Sequence, residues 1–352
     1  MKVDKFWKNK KVLVLGHTGF KGSWLTVWLR ELGADIIGYG LEPKRENDNY
    51  VLCKLNDKIT DIKGDICNKE LLNNIFNEYK PEIVINLVES KTNRGCTSNI
   101  YERSIVGTLN VLECIKNTDS VKVAIMSTSD NCYDIREQMW GYREDDRLGG
   151  DNPESVSSAC AGMIIDSYRN EYLDPQKILS HGKSVATVRI GKVVGGGEWN
   201  ENEVIPACAN AFSQKDSVVI RNPEAIRPWQ HILEPIRGIL ILAQKMYENP
   251  GCYCENWNLG AEYSSCLTVL DAVTKFQKEF RKGEILELDE EDKNNKRGTV
   301  VLDITKAKYR LGWIPKWTTD KTLAYTADWY KNYKTKDVYA LCRNHIEKYS
   351  LL

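Results

Sequence analysis

Three glycines with GxxGxxG spacing follow the first apolar run of the sequence. Residues 11–15 read KVLVL without a polar interruption, which is typical of a parallel strand buried on both faces. Gly16, Gly19 and Gly22 come next, and residues 23–32 are predicted to form an amphipathic helix. The first glycine permits a tight turn, the second lets the backbone approach a pyrophosphate, and the third allows close packing of helix on strand. This order predicts the opening βαβ unit of a Rossmann fold.

Apolar runs and helical stretches continue to alternate through the first half of the chain. Further strands are predicted at residues 35–39, 83–87, 121–126 and 185–190, and helices at residues 69–78 and 105–115. This order predicts an α/β fold with a doubly wound parallel sheet. After about residue 262 we expect a smaller mixed α/β unit, with a solvated polar loop at residues 289–297.

Charge and cysteine content exclude several classes of function. The 49 basic and 49 acidic residues balance, so no net field favours nucleic acid or an acidic membrane. The 11 cysteines form no CxxC pair and have no histidine at metal-ligand spacing, which predicts reduced thiols and no metal site. The sequence lacks a membrane-spanning apolar run and a signal peptide. We therefore expect a cytoplasmic protein without nucleic-acid or membrane partners.

The glycine loop predicts a dinucleotide site, because amides at a helix start and the helix dipole favour an anionic ligand. The predicted cofactor-binding residues of this loop are Gly16, Thr18, Gly19, Phe20, Lys21 and Gly22. Asp65 and Ile66, after a predicted third strand, are expected to contact the adenine. The alternative is a Rossmann-like domain in which the glycines serve packing alone.

The residues that follow the second strand bear on the choice between NAD and NADP. Glu42 could hold the adenosine ribose of NAD, although it lies two residues later than usual. Lys44 and Arg45 could instead meet the 2′-phosphate of NADP, or all three could be solvated loop charges. We expect NAD rather than NADP.

Six longer motifs are spread over nearly the whole chain. They are FWKNKKVLVLGHTGFKGSWL at residues 6–25, TSDNCYD at 128–134, WGYRE at 140–144, VVGGGEW at 193–199, RPWQHILEP at 227–235 and LGWIPKW at 311–317. Together they resemble the CDP-glucose 4,6-dehydratases of the extended short-chain dehydrogenase/reductase family.

The resemblance implies that different parts of the chain bind the cofactor and the nucleotide sugar. Residues 1–190, with a return segment near 228–260, would form the NAD(P)-binding Rossmann domain. Residues 191–227 and 261–352 would bind the nucleotide sugar. It also implies a homodimer through helices of the N-terminal domain. The family reaction oxidises the sugar at C4, eliminates water across C5 and C6, and returns the hydride to C6.

Residues that the resemblance places at the reacting centre depart from the family pattern. Glu154 and Ser158 stand where the family has a tyrosine base and a lysine four residues later, on one helix face. Ser129, Asp130 and Asn131 replace Thr/Ser-Asp-Lys, so the hydroxyl and the acid remain while the lysine is lost. We predict these five residues as the catalytic set. Glu154 is either a base with a pKa raised by burial or a solvated residue of a first helical turn.

Further departures concern the cofactor and the diphosphate. Leu87, Val88 and Glu89 replace a Leu-Ala-Ala segment beside the cofactor, so Leu87 and Val88 are predicted cofactor contacts. Glu89 would bring negative charge toward the pyrophosphate or nicotinamide ribose and weaken binding, unless its side chain points away. Lys192 replaces an asparagine and could contact phosphate, supply the missing cation or face solvent. Residues 202–204, Asn-Glu-Val, replace Asp-Arg-Leu.

The remaining predicted residues belong to the substrate. Arg221 and Arg227 can both bind diphosphate oxygens, for which the guanidinium fork is suited. Trp229 and His231 either line the pocket or buttress a turn. Tyr133 and Tyr142 could touch the sugar or shape the site.

Three hypotheses of function follow. The first is an enzyme that acts on a nucleotide-linked hexose or keto-sugar, CDP-linked by resemblance, through altered chemistry. The second is a pseudoenzyme that binds nucleotide sugar and NAD. The third is a functional 4,6-dehydratase whose acid/base groups are substituted from elsewhere in the chain.

Overall fold

A seven-stranded parallel sheet forms the centre of the fold. The computed structural model describes residues 5–89, 97–136, 138–287 and 300–351. The strands are β1 (Lys11–Leu15), β2 (Asp35–Gly40), β3 (Thr60–Lys63), β4 (Ile83–Asn86), β5 (Val123–Ser129), β6 (Ser184–Ile190), β7 (Val193–Val194), β8 (Ser217–Ile220), β9 (Ile226–Pro228), β10 (Gln230–His231), β11 (Asn256–Leu259), β12 (Cys266–Thr268) and β13 (Glu284–Glu287). The order in the sheet is β11-β6-β5-β4-β1-β2-β3, and every neighbouring pair is parallel. The predicted doubly wound α/β fold is therefore confirmed.

Helices cover both faces of this sheet. They are α1 (Phe20–Glu31), α2 (Asn49–Leu52), α3 (Lys69–Tyr79), α4 (Ser98–Tyr101), α5 (Thr108–Asn117), α6 (Pro153–Glu171), α7 (Ile178–His181), α8 (Val204–Gln214), α9 (Leu233–Glu248), α10 (Val269–Phe280), α11 (Thr319–Asn332) and α12 (Val338–Ser350). The helix predicted from residue 105 begins at Thr108, because residues 102–107 form a wider π-type turn. The predicted polar loop at residues 289–297 lies outside the described residues.

Alternate residues of β1 show how the two core layers arise. Val12 and Val14 belong to a core that includes Trp24 of α1, whereas Leu13 and Leu15 belong to a second core on the opposite face. These four side chains of β1 are all fully buried. Burial of one such aliphatic side chain stabilises the fold by about 1.5–3 kcal/mol.

Short strand pairs and helices make up much of the C-terminal part of the chain. β8 pairs with β13 in parallel, and β9 pairs with β12 in antiparallel orientation. The return segment carries α9 and β11, and β11 joins the edge of the large sheet beside β6. The mixed composition agrees with the expectation for a smaller α/β unit, while the assignment of these residues to the nucleotide sugar remains a proposal.

The winding of the sheet reverses between β1 and β4. β2 and β3 lie on one side of β1, while β4, β5 and β6 lie on the other. The connections on the two sides diverge at this point, so the carboxyl ends of β1 and β4 border a crevice. Ligands of open α/β sheets bind at such a position.

Candidate functional site

A large cleft lies at the carboxyl ends of the parallel strands, with a volume of about 1550 Å³. It brings together most of the residues predicted from the sequence. These are Gly16, Thr18, Gly19, Phe20, Lys21, Gly22, Asp65, Ile66, Leu87, Val88, Ser129, Asp130, Asn131, Glu154, Lys192, Arg227 and Trp229. Three predicted residues, Ser158, Arg221 and His231, are not part of its lining.

The three glycines of the loop line the cleft and bring backbone to its surface. Gly16 has a φ of +82°, which is the left-handed region, and its N–H donates to the Tyr39 carbonyl at 2.8 Å. A Cβ on Gly22 would overlap the Gly16 carbonyl oxygen. Gly19 is the N-cap of α1 and provides no side-chain cap. The first amides of α1 are therefore open to an anionic ligand.

A buried polar network joins the glycine loop to β3. His17 is fully buried and its Nε2 lies 2.6 Å from a carboxylate oxygen of Asp61 on β3. Asp61 also accepts hydrogen bonds from Tyr50 at 2.7 Å and from Lys63 at 2.7 Å. Burial alone would raise the pKa of Asp61, but the bonds from His17, Lys63 and Tyr50 hold that pKa well below its usual range. Sequence patterns missed this network because its members are up to 46 positions apart.

Carboxylates cluster after β2, where an adenosine ribose is expected. Asp48 accepts hydrogen bonds from the backbone amides of Lys44 and Arg45, at 2.9 and 3.1 Å. The exposed side chains of Lys44 and Arg45 line the cleft together with Glu42 and Asp48. Two cations thus accompany two carboxylates here, so this part of the cleft holds the groups for both alternatives, a ribose contact and a 2′-phosphate contact.

Asp65 is held at the end of β3 by two bonds. Its carboxylate accepts from Arg103 Nε at 2.8 Å and from the Cys67 amide at 3.0 Å. Burial acts to raise the pKa of Asp65, but the Cys67 amide and the Arg103 guanidinium lower it below its usual range. Arg103, which the sequence reasoning did not single out, also lines the cleft.

Lys21 and Glu89 form an ion pair inside the cleft. Lys21 lies in the first turn of α1, and Glu89 follows β4. Both side chains are at least four-fifths buried. The charge of Glu89 therefore lies in the cleft beside the glycine loop, and Lys21 compensates it.

The end of β5 presents a hydroxyl, a carboxyl and an amide in succession. Ser129 donates its hydroxyl to Asp130 at 3.0 Å and accepts from the Asn131 amide at 3.2 Å. Burial raises the pKa of Asp130 above its usual range, although the Ser129 bond and the charges of Lys192 and Lys21 oppose this. A carboxyl with a raised pKa is suited to donate a proton.

Glu154 reaches the cleft from the first turn of α6. Asn152 caps this helix by accepting from the Ser155 amide at 3.0 Å, and Pro153 occupies the first turn. Ser158 lies one turn further along, where its hydroxyl accepts from the Ser129 amide at 3.2 Å. Ser158 thus ties α6 to the end of β5 and does not line the cleft, and its catalytic role stays a prediction.

The far side of the cleft carries a second ion pair. Lys192 Nζ lies 2.6 Å from Glu203, and both residues line the cleft with Arg227. Burial lowers the pKa of Arg227, and the charge of Glu203 opposes that shift. Trp229 forms a wall of the cleft, and its indole N–H donates to the Leu267 carbonyl at 3.3 Å.

Two predicted substrate contacts do not line the cleft. Arg221 is exposed and lies just beyond the end of β8. His231 is fully buried; its ring packs against Trp24 and Trp317, and its Nδ1 accepts from the Leu233 amide at 3.3 Å. Burial keeps the pKa of His231 well below its usual value. The histidine of the RPWQHILEP motif buttresses a turn.

Tyr133 and Tyr142 shape the site from behind. Both side chains are buried, and their rings stack with centroids 5.2 Å apart. Tyr133 donates to Asn258 at 2.7 Å and accepts from Arg189 at 2.9 Å. Neither tyrosine lines the cleft.

The described part of the chain contains neither a metal-binding cluster nor a membrane-spanning helix. Within it, no group of three or more His, Cys, Asp or Glu residues could hold a metal ion. None of its helices is both long and apolar enough to cross a membrane.

Comparison with known proteins gives consistent matches over nearly the whole chain. Residues 13–326 match the family described as GDP-mannose 4,6 dehydratase. CDP-glucose 4,6-dehydratase of Salmonella typhimurium is 37% identical over 99% of this chain and 98% of that protein. A dTDP-glucose 4,6-dehydratase of Haemophilus influenzae is 24% identical, over 91% of this chain and 97% of that protein. The resemblance inferred from the sequence motifs is confirmed.

Solved structures show the same fold at lower identity. The dTDP-glucose 4,6-dehydratase of Bacillus anthracis, in complex with NAD, has a TM-score of 0.76 and 20% identity, and covers 95% of this chain and 99% of its own. The UDP-glucose 4-epimerase of Thermotoga maritima, with UDP-glucose, has a TM-score of 0.72 and 21% identity, and covers 91% and 98%.

Proposed function

Because this chain belongs to the GDP-mannose 4,6-dehydratase family, we propose that it is an NAD-dependent enzyme that modifies a nucleotide-linked sugar, CDP-linked by its similarity to CDP-glucose 4,6-dehydratase. Its acid/base groups differ from those that the sequence resemblance implies. The single observation that supports this proposal is the shared cleft. One end is formed by the glycine loop, and the other brings Asp130 and Glu154 to the ends of β5 and α6.

The loop fits a dinucleotide in two respects. Gly16, Gly19 and Gly22 let the loop pack tightly against its own backbone and against Leu87 and Val88, and α1 begins without a side-chain cap, which leaves its first amides to a pyrophosphate. The carboxylates of Glu42 and Asp48 suit the ribose of NAD. When bound, NAD supplies the hydride acceptor and donor for the sugar.

Two carboxyl groups can carry proton transfer in this cleft. Asp130, with its raised pKa, is suited to give a proton to a leaving hydroxyl. Glu154 is the group that α6 delivers to the cleft where the resemblance implies a tyrosine base. Lys21 and Lys192 contribute positive charge near Asp130. The proposed base is therefore a carboxylate, and the proposed replacement for a lost cation is Lys192, in the segment after β6.

A direct test is incubation of the purified protein with NAD and CDP-glucose, followed by NMR of the sugar. We expect new sugar signals with the wild type and their loss in Asp130→Asn. Unchanged CDP-glucose after prolonged incubation, with a folded and NAD-loaded protein, would contradict the proposal.

A second candidate function is a binding-only pseudoenzyme. The observation that favours it is the position of Ser158, whose hydroxyl serves α6 and β5 structurally. The triple variant Glu154→Tyr, Ser158→Lys and Asn131→Lys distinguishes the two. Activity that appears only in the triple variant, with none in the wild type, would favour the pseudoenzyme; native turnover in the wild type would exclude it.

A further inference from the structure

Glu203 lies where three positive features of the cleft converge. It is the N-cap residue of α8, a helix whose dipole favours negative charge at that end. Its carboxylate is 2.6 Å from Lys192 Nζ, and its charge acts on Arg227. Ile205 and Pro206, in the first turn of α8, line the same cleft. A carboxylate of the protein thus sits in surroundings suited to an anionic ligand.

We propose that Glu203 is an internal competitor for the diphosphate of the nucleotide ligand, so that Lys192 exchanges its carboxylate partner for phosphate oxygens on binding. This inference rests on the proposed function, since it takes the ligand to be a nucleoside diphosphate sugar. No covalent step is involved.

The exchange is feasible because the internal pair is open to solvent in part. Lys192 and Glu203 are 35% and 30% exposed, so water partly screens the attraction between them. A phosphate oxygen offers Lys192 a charge-assisted hydrogen bond of at least equal strength, and Arg227 can bind phosphate through its guanidinium fork. Glu203 remains nearby after the exchange and repels the diphosphate. It therefore limits affinity for highly charged nucleotides.

The ion pair between Lys308 and Glu262 offers a matched control. Its atoms are 2.7 Å apart, and the side chains are 32% and 28% exposed. Neither residue lines the cleft. Glu262→Gln therefore removes one carboxylate from a comparable pair without changing the charge of the ligand site.

The test is calorimetric titration of CDP into the wild type, Glu203→Gln and Glu262→Gln at low ionic strength. We expect Glu203→Gln to bind CDP roughly three- to ten-fold more tightly, because one repelling charge is removed. Glu262→Gln should match the wild type. The gain should shrink at high salt, where the repulsion is screened. Lys192→Met should bind CDP more weakly, and adding it to Glu203→Gln should cancel much of the gain.

Cytidine provides the matched ligand, since it lacks phosphate and its affinity should be the same for the wild type and Glu203→Gln. If CDP binds the wild type but Glu203→Gln binds CDP equally or less tightly, the competition is refuted while the proposed function stands. If neither CDP nor CDP-glucose binds the folded wild type or any variant, the proposed function fails and this inference falls with it.

Discussion

Neighbouring groups shift the pKa of Asp130 in opposite directions. Burial and the charge of Glu89 raise its pKa, while the Ser129 hydroxyl and the ammonium groups of Lys192 and Lys21 lower it. The net shift is upward, which keeps a fraction of this carboxyl protonated at higher pH than for a free aspartate.

The protonation of Asp130 predicts the pH dependence of turnover. As a proton donor, Asp130 is active below its pKa, so turnover should fall as pH rises through that pKa. Lys192→Met removes a charge that lowers the pKa, so the alkaline limb should move to higher pH. A pH–rate profile of both proteins measures this, and a limb that stays in place or moves to lower pH would argue against Asp130 as the donor.

Substitution of Glu154 tests most directly whether this carboxylate is the base. We expect Glu154→Gln to lower turnover by about 10²–10⁴-fold, because an amide cannot accept a proton. Binding of CDP-glucose should change little. Glu171, at the last residue of the same helix and outside the cleft lining, provides the control variant Glu171→Gln. Full activity in Glu154→Gln would remove Glu154 from the mechanism.

Glu89 predicts an effect on cofactor affinity. Glu89→Gln removes negative charge from the cofactor half of the cleft and frees Lys21 for a phosphate. We expect NAD to bind about two- to ten-fold more tightly, by the Coulombic gain at close range. The pair Lys10–Glu82, of similar exposure, gives the control Glu82→Gln. Fluorescence titration with NADH provides the measurement, and weaker binding by Glu89→Gln would show that the carboxylate contacts the cofactor favourably.

Single residues also show where sequence reasoning reaches its limit. The motif RPWQHILEP contains both Arg227, which lines the cleft, and His231, which is fully buried, because the two residues lie on different short strands, β9 and β10. The resemblance places Ser158 where the family has a lysine, one helical turn after Glu154, yet its hydroxyl accepts a hydrogen bond from the backbone amide of Ser129. Spacing along a helix shows which residues share a face, but it does not show which groups each side chain hydrogen-bonds.

At the scale of elements, α1 depends on the close approach of its first turn to the preceding loop. Gly22→Ala places a methyl group against the Gly16 carbonyl, within backbone rather than flexible side chain. We expect a loss of NAD affinity of at least ten-fold and a lower thermal midpoint, since the loop must shift. Gly162→Ala, at a helical glycine of α6 whose added Cβ would meet Leu148 only at ordinary contact distance, is the matched control. Unchanged NAD affinity in Gly22→Ala would contradict the assigned pyrophosphate position.

Elements of strong periodicity were predictable because each follows from local pattern. β1 matches residues 11–15 as predicted, and α1 begins three residues earlier than its predicted start at 23. The start of α1 within the glycine loop could not be foreseen, because Phe20 and Lys21 carry no helix-start signal beyond the glycines. The ion pairs Lys21–Glu89 and Lys192–Glu203 join residues from separate elements, so only the tertiary structure reveals them.

At the scale of the whole molecule, the homodimer remains a prediction. Val106, Leu109 and Met163 are exposed apolar residues on the segment 102–107, α5 and α6, three mutually contacting elements of the N-terminal part. We propose this patch as the dimer contact. Met163→Asp should convert the protein to a monomer in sedimentation, because a buried charge at an interface is costly. Leu179→Asp, at a fully exposed residue of α7, should not; a dimer unaffected by Met163→Asp would place the contact elsewhere.

The central claim is that one cleft holds NAD and a nucleotide sugar so that the sugar meets Asp130 and Glu154. A crystal structure with NAD and CDP-glucose bound tests it most directly. We predict the NAD pyrophosphate at the glycine loop, the sugar between the ends of β5 and α6, and the CDP diphosphate beside Lys192 and Arg227. A sugar bound away from Asp130 and Glu154, or a cofactor that does not contact the glycine loop, would contradict the account.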